Sequence, residues 1–276
     1  MSNKLNLRND FVFKTFFSRK GNEEYLIEFL KALLKIEIDE ITIQEEVNLE
    51  KLSKEEKGGR LDLQAKLGNG TIVNIELQMK DEHNIEERTT FYSSKVLSRE
   101  VERGSKYKDI NQIIMINILN YELFGFDEYI SETAIVLDKH RDFEALKGIK
   151  WYFIELPKFR KSHPDIKEKV NQWIAFIDDY EGEMVKMAEK KNKIIERAKV
   201  EMNYLTGDAE VKRLAELREK WEMDYNSGID YAKTEGRKEG NKEAKKEMAK
   251  RMKEDNIDID IIVKYTRLTK EEIEKI

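Results

Sequence analysis

Residues 59–80 read GRLDLQAKLGNGTIVNIELQMK, two alternating segments joined by Gly68-Asn69-Gly70. Side chains along a strand alternate between faces with period two. Leu61, Leu63, Ala65 and Leu67 therefore share one face of a first strand, and Arg60, Asp62, Gln64 and Lys66 share the other. In the second strand, Thr71, Val73, Ile75, Leu77 and Met79 form the apolar face, opposite Ile72, Asn74, Glu76, Gln78 and Lys80. For both apolar faces to point the same way, paired residue numbers must sum to an even value. A three-residue Gly-Asn-Gly loop satisfies this by pairing Leu67 with Thr71, and it supplies residues that tolerate a left-handed backbone. The same register sets Asp62 opposite Glu76.

Opposed residues have Cβ atoms about 4.5–5.5 Å apart, and like charges so placed repel. A shared proton, a neighbouring cation or a divalent metal must compensate. Carboxylates, water and substrate phosphates are the usual Mg²⁺ environment. Gln78 points to the same face and could position a water, while Lys66 and Lys80 could neutralise a phosphate or the acids. The plainer alternative is a solvated polar face. Two neighbours argue against it. Gln112–Leu119 (QIIMINIL) is the nearly continuous apolar run of a strand covered on both faces. A polar helix over 84–104, ended by Gly104, carries Arg88 and Tyr92 one turn apart, suited to phosphate and to aromatic contact.

Composition narrows the chemistry. The 276 residues, 39% of them charged and only two of them proline, suit a largely helical chain with one sizeable core. No cysteine is present, which excludes thiolate chemistry and fits a cytoplasmic location. Three scattered histidines (His83, His140, His163) cannot build a His-rich zinc site, so a metal here would take oxygen ligands. The N-terminal residues lack a signal-peptide pattern, and no apolar run reaches the roughly 20 residues of a membrane span. A net charge of −5 argues against nonspecific coating of nucleic acid but leaves room for a local basic cleft.

Along the chain, residues 9–20 carry closely spaced phenylalanines with Asp10 as the expected helix cap, and 22–35 show the periodicity of a helix with one buried face. A strand is expected at Ile41–Val47, followed by a Lys- and Glu-rich connector over 50–58. Further strands are expected at Ser131–Leu137 and at Lys150–Leu156, the latter halted by Pro157, and Val170, Trp173, Ile174 and Ile177 mark a closing helix. Beyond about residue 183 strand signals cease, and helical periodicity is interrupted only near Thr206-Gly207-Asp208. Residues 233–251 repeat Glu followed by a small residue every four positions, giving a smooth face that permits helix pairing or a solvated spacer. Residues 257–276 form a small helical hairpin whose Thr269–Glu272 is a capping box. No full recognition helix for DNA remains in that tail.

These residues resemble the PD-(D/E)xK nuclease superfamily, and more closely its recombination-promoting nuclease and transposase-like branch. There the last lysine of the superfamily motif is commonly glutamine, as in Glu76-Leu77-Gln78. Asp10-Phe-Val-Phe-Lys14 resembles the branch's N-terminal D-x-x-F-K signature. Ile154-Glu155-Leu156-Pro157-Lys158-Phe159 resembles its ELPKF-like strand end, with Trp173 beyond. The Glu-Gly repeats and the Thr-Arg-Leu-Thr-Lys-Glu-Glu-Ile ending also resemble these proteins' tails.

The resemblance implies an α/β fold with a restriction-endonuclease-like core, in the order helix, three strands, helix, strand, its mixed sheet flanked by helices. The expected division is 1–182 for this nuclease-like domain and 183–276 for an all-helical C-terminal extension. It implies a Mg²⁺-dependent endonuclease acting on DNA (Mn²⁺ as a substitute), with Asp62 and Glu76 as metal ligands and catalytic residues and Gln78 in the lysine's place. Superfamily members often add an acid from the first helix, for which Glu24 and Glu28 are the candidates. A neutral amide at 78 cannot act as a cationic stabiliser, so Lys80, Lys66 or Lys95 would substitute. Arg88, Tyr92, Lys80 and Lys66 are the expected nucleic-acid contacts. Glu155 and Lys158 read as structural. A homo-oligomer through the C-terminal helices is a further expectation. The competing reading is a nuclease fold without catalysis, serving as a DNA-binding or protein-interaction module.

Overall fold

In the computed structural model, which describes residues 5–44, 63–100 and 106–276, the hairpin forms as its alternation dictates. Strand β2 (Leu63–Leu67) pairs antiparallel with β3 (Ile72–Gln78), matching Leu63 with Ile75 and Lys66 with Ile72. The loop closes through Leu67 N–H donating to the Thr71 carbonyl at 2.8 Å and Gly70 N–H to the Leu67 carbonyl at 2.8 Å. Gly70 takes φ +90°, the left-handed region that such loops reserve for glycine. Strand β1 (Ile41–Gln44) extends this antiparallel ribbon on the far side of β2. Residues 45–47 of the expected first strand, the 50–58 connector and Asp62 lie outside the described residues.

After β3 the chain crosses over through α3 (Ile85–Glu100) to β4 (Ile113–Leu119), which lies parallel to β3. The 101–104 end expected for that helix lies outside the described residues. β4 is buried throughout, as a strand covered on both faces requires.

The expected strand at Ser131–Leu137 is two strands. β5 (Ile130–Glu132) joins the main sheet, and β6 (Ile135–Leu137) leaves it to pair with β7 (His140–Leu146) in a separate two-stranded ribbon. The switch is made at Thr133, whose backbone N–H donates to the Trp151 carbonyl while its hydroxyl accepts from Trp151 N–H at 3.1 Å. A side chain thus takes the place of a ladder bond as the backbone turns away. β8 (Ile149–Glu155) follows, parallel to β4 and antiparallel to β5. The six-stranded mixed sheet has the order β1-β2-β3-β4-β8-β5.

Helices cover both faces. On one lie α1 (Asp10–Ser18), α2 (Glu23–Leu34) and α5 (Lys169–Asp179), whose Phe16, Phe17, Tyr25, Phe29, Trp173 and Phe176 form a contiguous ring cluster over Ile75 and Ile116. Each such fully buried phenylalanine contributes roughly 1.5–3 kcal/mol by burial. The cap of α1 is Asn9, which accepts from Val12 N–H at 3.1 Å, one residue before the Asp10 expected from the sequence; Asp10 instead accepts from its neighbour Phe11 N–H at 2.7 Å. On the opposite face α3 lies over Ile72, Ile113 and Met115 through Val96 and Tyr92. Pro157 ends β8 and opens α4 (Leu156–Ser162), because its missing N–H costs nothing in a first helical turn.

Helices α6 (Glu183–Glu189) and α7 (Lys193–Gly207) bring Val185, Ala188, Ile195, Ala198, Met202 and Leu205 into the main core. The compact unit that contains the sheet consequently runs to Ala215. Helix α8 (Ala209–Glu254) opens at Asp208, whose carboxylate accepts from the N–H groups of Glu210 and Val211. The second unit, Glu216–Ile276, has its own small core of Ala249, Ile262, Leu268 and Ile273. Ala249 comes from α8, Ile262 from α9 (Ile259–Thr266), Leu268 from the connection that follows it, and Ile273 from α10 (Lys270–Glu274), which is opened by the Thr269/Glu272 capping box. Among the described residues no helix is long and apolar enough to cross a membrane.

Candidate active site

β3 is the source of the site. Its face toward α3 carries Asn74, Glu76 and Gln78, all buried, with Glu76 only 1% exposed. Gln78 is two residues beyond Glu76 and therefore on the same face. Its Nε2 donates to Glu76 Oε2 at 3.4 Å. The crossover returns α3 over this face, and one turn in from its buried Ile85 it delivers Arg88. The guanidinium Nε lies 3.7 Å from Glu76 Oε2, while Nη1 donates to Glu82 at 3.2 Å. A buried carboxylate needs such a partner, and here the cation comes from the helix rather than from a lysine of the hairpin.

The parallel register with β4 places Asn117 directly beside Glu76, on strands about 4.8 Å apart. Asn117 is fully buried. Its amide nitrogen donates to Thr89 Oγ1 at 3.2 Å and to the Tyr152 carbonyl at 3.4 Å. Its Oδ1 is buried with no hydrogen-bond partner among the described residues. An amide oxygen so left, on the same face as a carboxylate in the adjacent strand, fits a hard divalent cation or its water. Among the described residues no three Asp, Glu or His side chains converge on one point.

The carboxyl ends of β3, β4 and β8 form a strongly polar edge. Gln78, Leu119 and Glu155 are aligned across the three strands. Glu155 is fully buried, pairs with Lys158 at 2.9 Å, and accepts from Leu123 N–H at 2.6 Å. Its Oε2 thus holds the segment after β4, while Oε1 takes the Lys158 ammonium from α4. Beside this edge, burial pushes the Tyr121 phenol up to about 12, with the negative charges of Asp81, Glu82 and Glu155 adding to the effect and Arg88 opposing it. Tyr121 thus stays a hydroxyl donor throughout the neutral range.

Of the residues expected from the sequence, Glu76, Gln78 and Arg88 come together. Tyr92 is half-buried and packs against Phe91 and the apolar layer under α3. Lys80 is exposed just past β3, and Lys95 is exposed on α3. Lys66 sits opposite Ile72, four residues back along β3 from Glu76, about 13 Å away at the rise of a strand. Glu24 and Glu28 are on α2, which covers the other face of the sheet, and pair with Arg197 at 2.5 Å and Lys169 at 3.5 Å. Neither approaches Glu76. Sequence reasoning missed Asn117, the single polar side chain inside the apolar run of β4, and Tyr121.

The comparisons with curated proteins and with solved structures returned no match. A family model does match, over residues 7–232, described as PD-(D/E)XK nuclease family transposase. That family supports a nuclease-type hydrolase with DNA as substrate, and PD-(D/E)XK nucleases generally use divalent metals. The matched span takes in every strand of the mixed sheet and the Glu76, Gln78 and Arg88 cluster, so the chain belongs to the PD-(D/E)XK nuclease family transposases.

Proposed function

We propose that the protein is a Mg²⁺-dependent DNA endonuclease whose centre is built on Glu76. The observation that carries the reading is the buried Glu76 carboxylate in a family of nucleases, with Gln78 Nε2 donating to its Oε2 and the Arg88 guanidinium within ion-pair distance of the same oxygen. The alternation of the hairpin sequence predicts Asp62 opposite Glu76. Asp62, Glu76 and the amide oxygen of Asn117 are the groups that would hold the cation. When bound, the ion supplies an activated water and charge stabilisation for the phosphoryl oxygens. Gln78 orients the attacking water or a phosphate oxygen through its amide. Arg88 holds Glu76 in place from α3, and Lys80, exposed at the rim, takes the DNA backbone by charge. Because glutamine replaces the superfamily lysine at 78, that rim charge carries the cationic role.

Plasmid nicking in Mg²⁺ or Mn²⁺ tests this. Wild type is expected to nick, and Asp62→Ala and Glu76→Ala to lose on the order of a hundredfold or more in rate. Equal nicking by wild type and both variants removes the proposal. One observation favours a second reading, a nuclease fold without catalysis: the Arg88 guanidinium already stands 3.7 Å from the key carboxylate. Calorimetry separates the two, since the absence of Mg²⁺ or Mn²⁺ binding at millimolar metal selects the second.

A further inference from the structure

Helix α8 presents, within the second unit, two consecutive series of four-residue spacing. Trp221, Tyr225 and Ile229 are large; Ala232, Gly236 and Gly240 are small. At about 100° per residue all six fall in one sector roughly 100° wide. The large ones are open to solvent, with exposures of 38%, 46% and 46%. They form a ridge that is already ordered: the Trp221 and Tyr225 rings stack with centroids 5.3 Å apart, and the Arg218 guanidinium lies 4.9 Å over Trp221. The small ones leave open space along the helix surface, since a Cβ added at Gly236 or Gly240 would meet nothing within 4 Å. Glycine inside a helix costs about 1 kcal/mol relative to alanine, and no neighbour within the described structure makes use of the space it leaves.

We propose that this sector is a self-association surface on which a second copy of the chain docks antiparallel. A two-fold axis near Asp230–Tyr231 would set Tyr225 of one copy against Gly236 of the other and Trp221 against Gly240, so that each ridge fills the open space over the other's small residues. Every contact then occurs twice, as an isologous interface requires. The same register brings Arg218 to Glu243, which lies on the same sector. It also sets the acidic Glu216 and Glu219 toward the end rich in Lys242, Lys245 and Lys246. A parallel pair would stack tryptophan on tryptophan, glycine on glycine and Arg218 on Arg218. Shape and charge therefore both select the antiparallel copy as occupant. This inference does not depend on the nuclease reading.

Sedimentation analysis of the full chain over a concentration series is the test. Wild type is expected to be dimeric. Gly236→Gln/Gly240→Gln is expected to be monomeric under the same conditions, with helicity by circular dichroism kept or raised because glutamine is the better helix former. Arg218→Glu is expected to weaken the dimer by about tenfold, and Arg218→Glu/Glu243→Arg to restore it. A wild type that is monomeric throughout, or a glycine-filled variant that dimerises as wild type does, overturns the proposal. A charge swap that fails to rescue overturns the antiparallel register.

Discussion

Asn117 on β4 stands directly beside Glu76 on β3, an amide oxygen with no hydrogen-bond partner among the described residues next to a buried carboxylate in parallel strands. The pairing joins a negative and a neutral oxygen donor on one face, the mixture that oxygen-ligated divalent cations accept. Asn117→Asp is the informative substitution. In the metal-free protein it adds a second buried negative charge beside Glu76 and is expected to destabilise by about 3 kcal/mol. With saturating Mn²⁺ the melting temperature of the variant is expected to rise further than that of wild type. An equal rise in both would detach Asn117 from the site.

Tyr121 gives the polar edge a signature in alkali. Its phenol is pushed up to about 12 in the folded protein against 10.0 for a free tyrosine, chiefly by burial. Below pH 10 both states hold the proton and the group's contribution is fully present. Between pH 10 and 12 the unfolded chain loses the proton that the folded state keeps, so stability falls as pH rises. Urea unfolding of wild type against Tyr121→Phe should therefore show a steeper decline for wild type across that window. Parallel curves would mean that neither burial nor the surrounding Asp81, Glu82 and Glu155 raises the phenol in the folded protein.

The Glu155–Lys158 pair is buried on both sides and 2.9 Å long. Removing one partner leaves an uncompensated charge in the interior, whereas removing both leaves only a packing defect. Lys158→Met is expected to cost about 3–5 kcal/mol, and Glu155→Gln/Lys158→Met distinctly less. Chemical denaturation of the single and double variants measures the difference. A double variant as unstable as the single would point instead to the Glu155 bond with Leu123 N–H as the dominant contact.

What the sequence disclosed follows from how local each feature is. The β2–β3 register needed only alternation and a loop length, and Leu63 does pair with Ile75. The strand and helix segments followed from runs of apolar residues, and the mixed sheet from the family resemblance. Asn117 was visible as a letter in QIIMINIL, but its place beside Glu76 depends on a parallel pairing that no local pattern encodes. Arg88 read as a phosphate contact because its helix is polar; the crossover carries it back over β3, where Glu76 and Glu82 engage it. The α6 and α7 core residues were masked by dense charge, although Ile195, Ala198, Met202 and Leu205 keep helical spacing. Sequence patterns also could not show that β6 leaves the sheet, since that exchange rests on Thr133 meeting Trp151.

Gly70 links the loop to the site. Its φ of +90° is one that a residue with a Cβ adopts only with strain, and a Cβ built there would collide with the Asn111 side-chain oxygen. Gly70→Ala is therefore expected to destabilise by about 1–2 kcal/mol from the backbone alone, and by more if Asn111 cannot move. Asn111→Ala in the same chain should recover the part due to the collision and none of the part due to φ. Because this loop fixes the register of β3, a relaxed loop would also disturb the face on which Glu76 and Gln78 sit. The expected result is a loss of nicking rate in Gly70→Ala larger than its folded fraction explains. A variant with reduced stability but full activity per folded molecule would show that β4 and α3, rather than the hairpin loop, hold Glu76 in position.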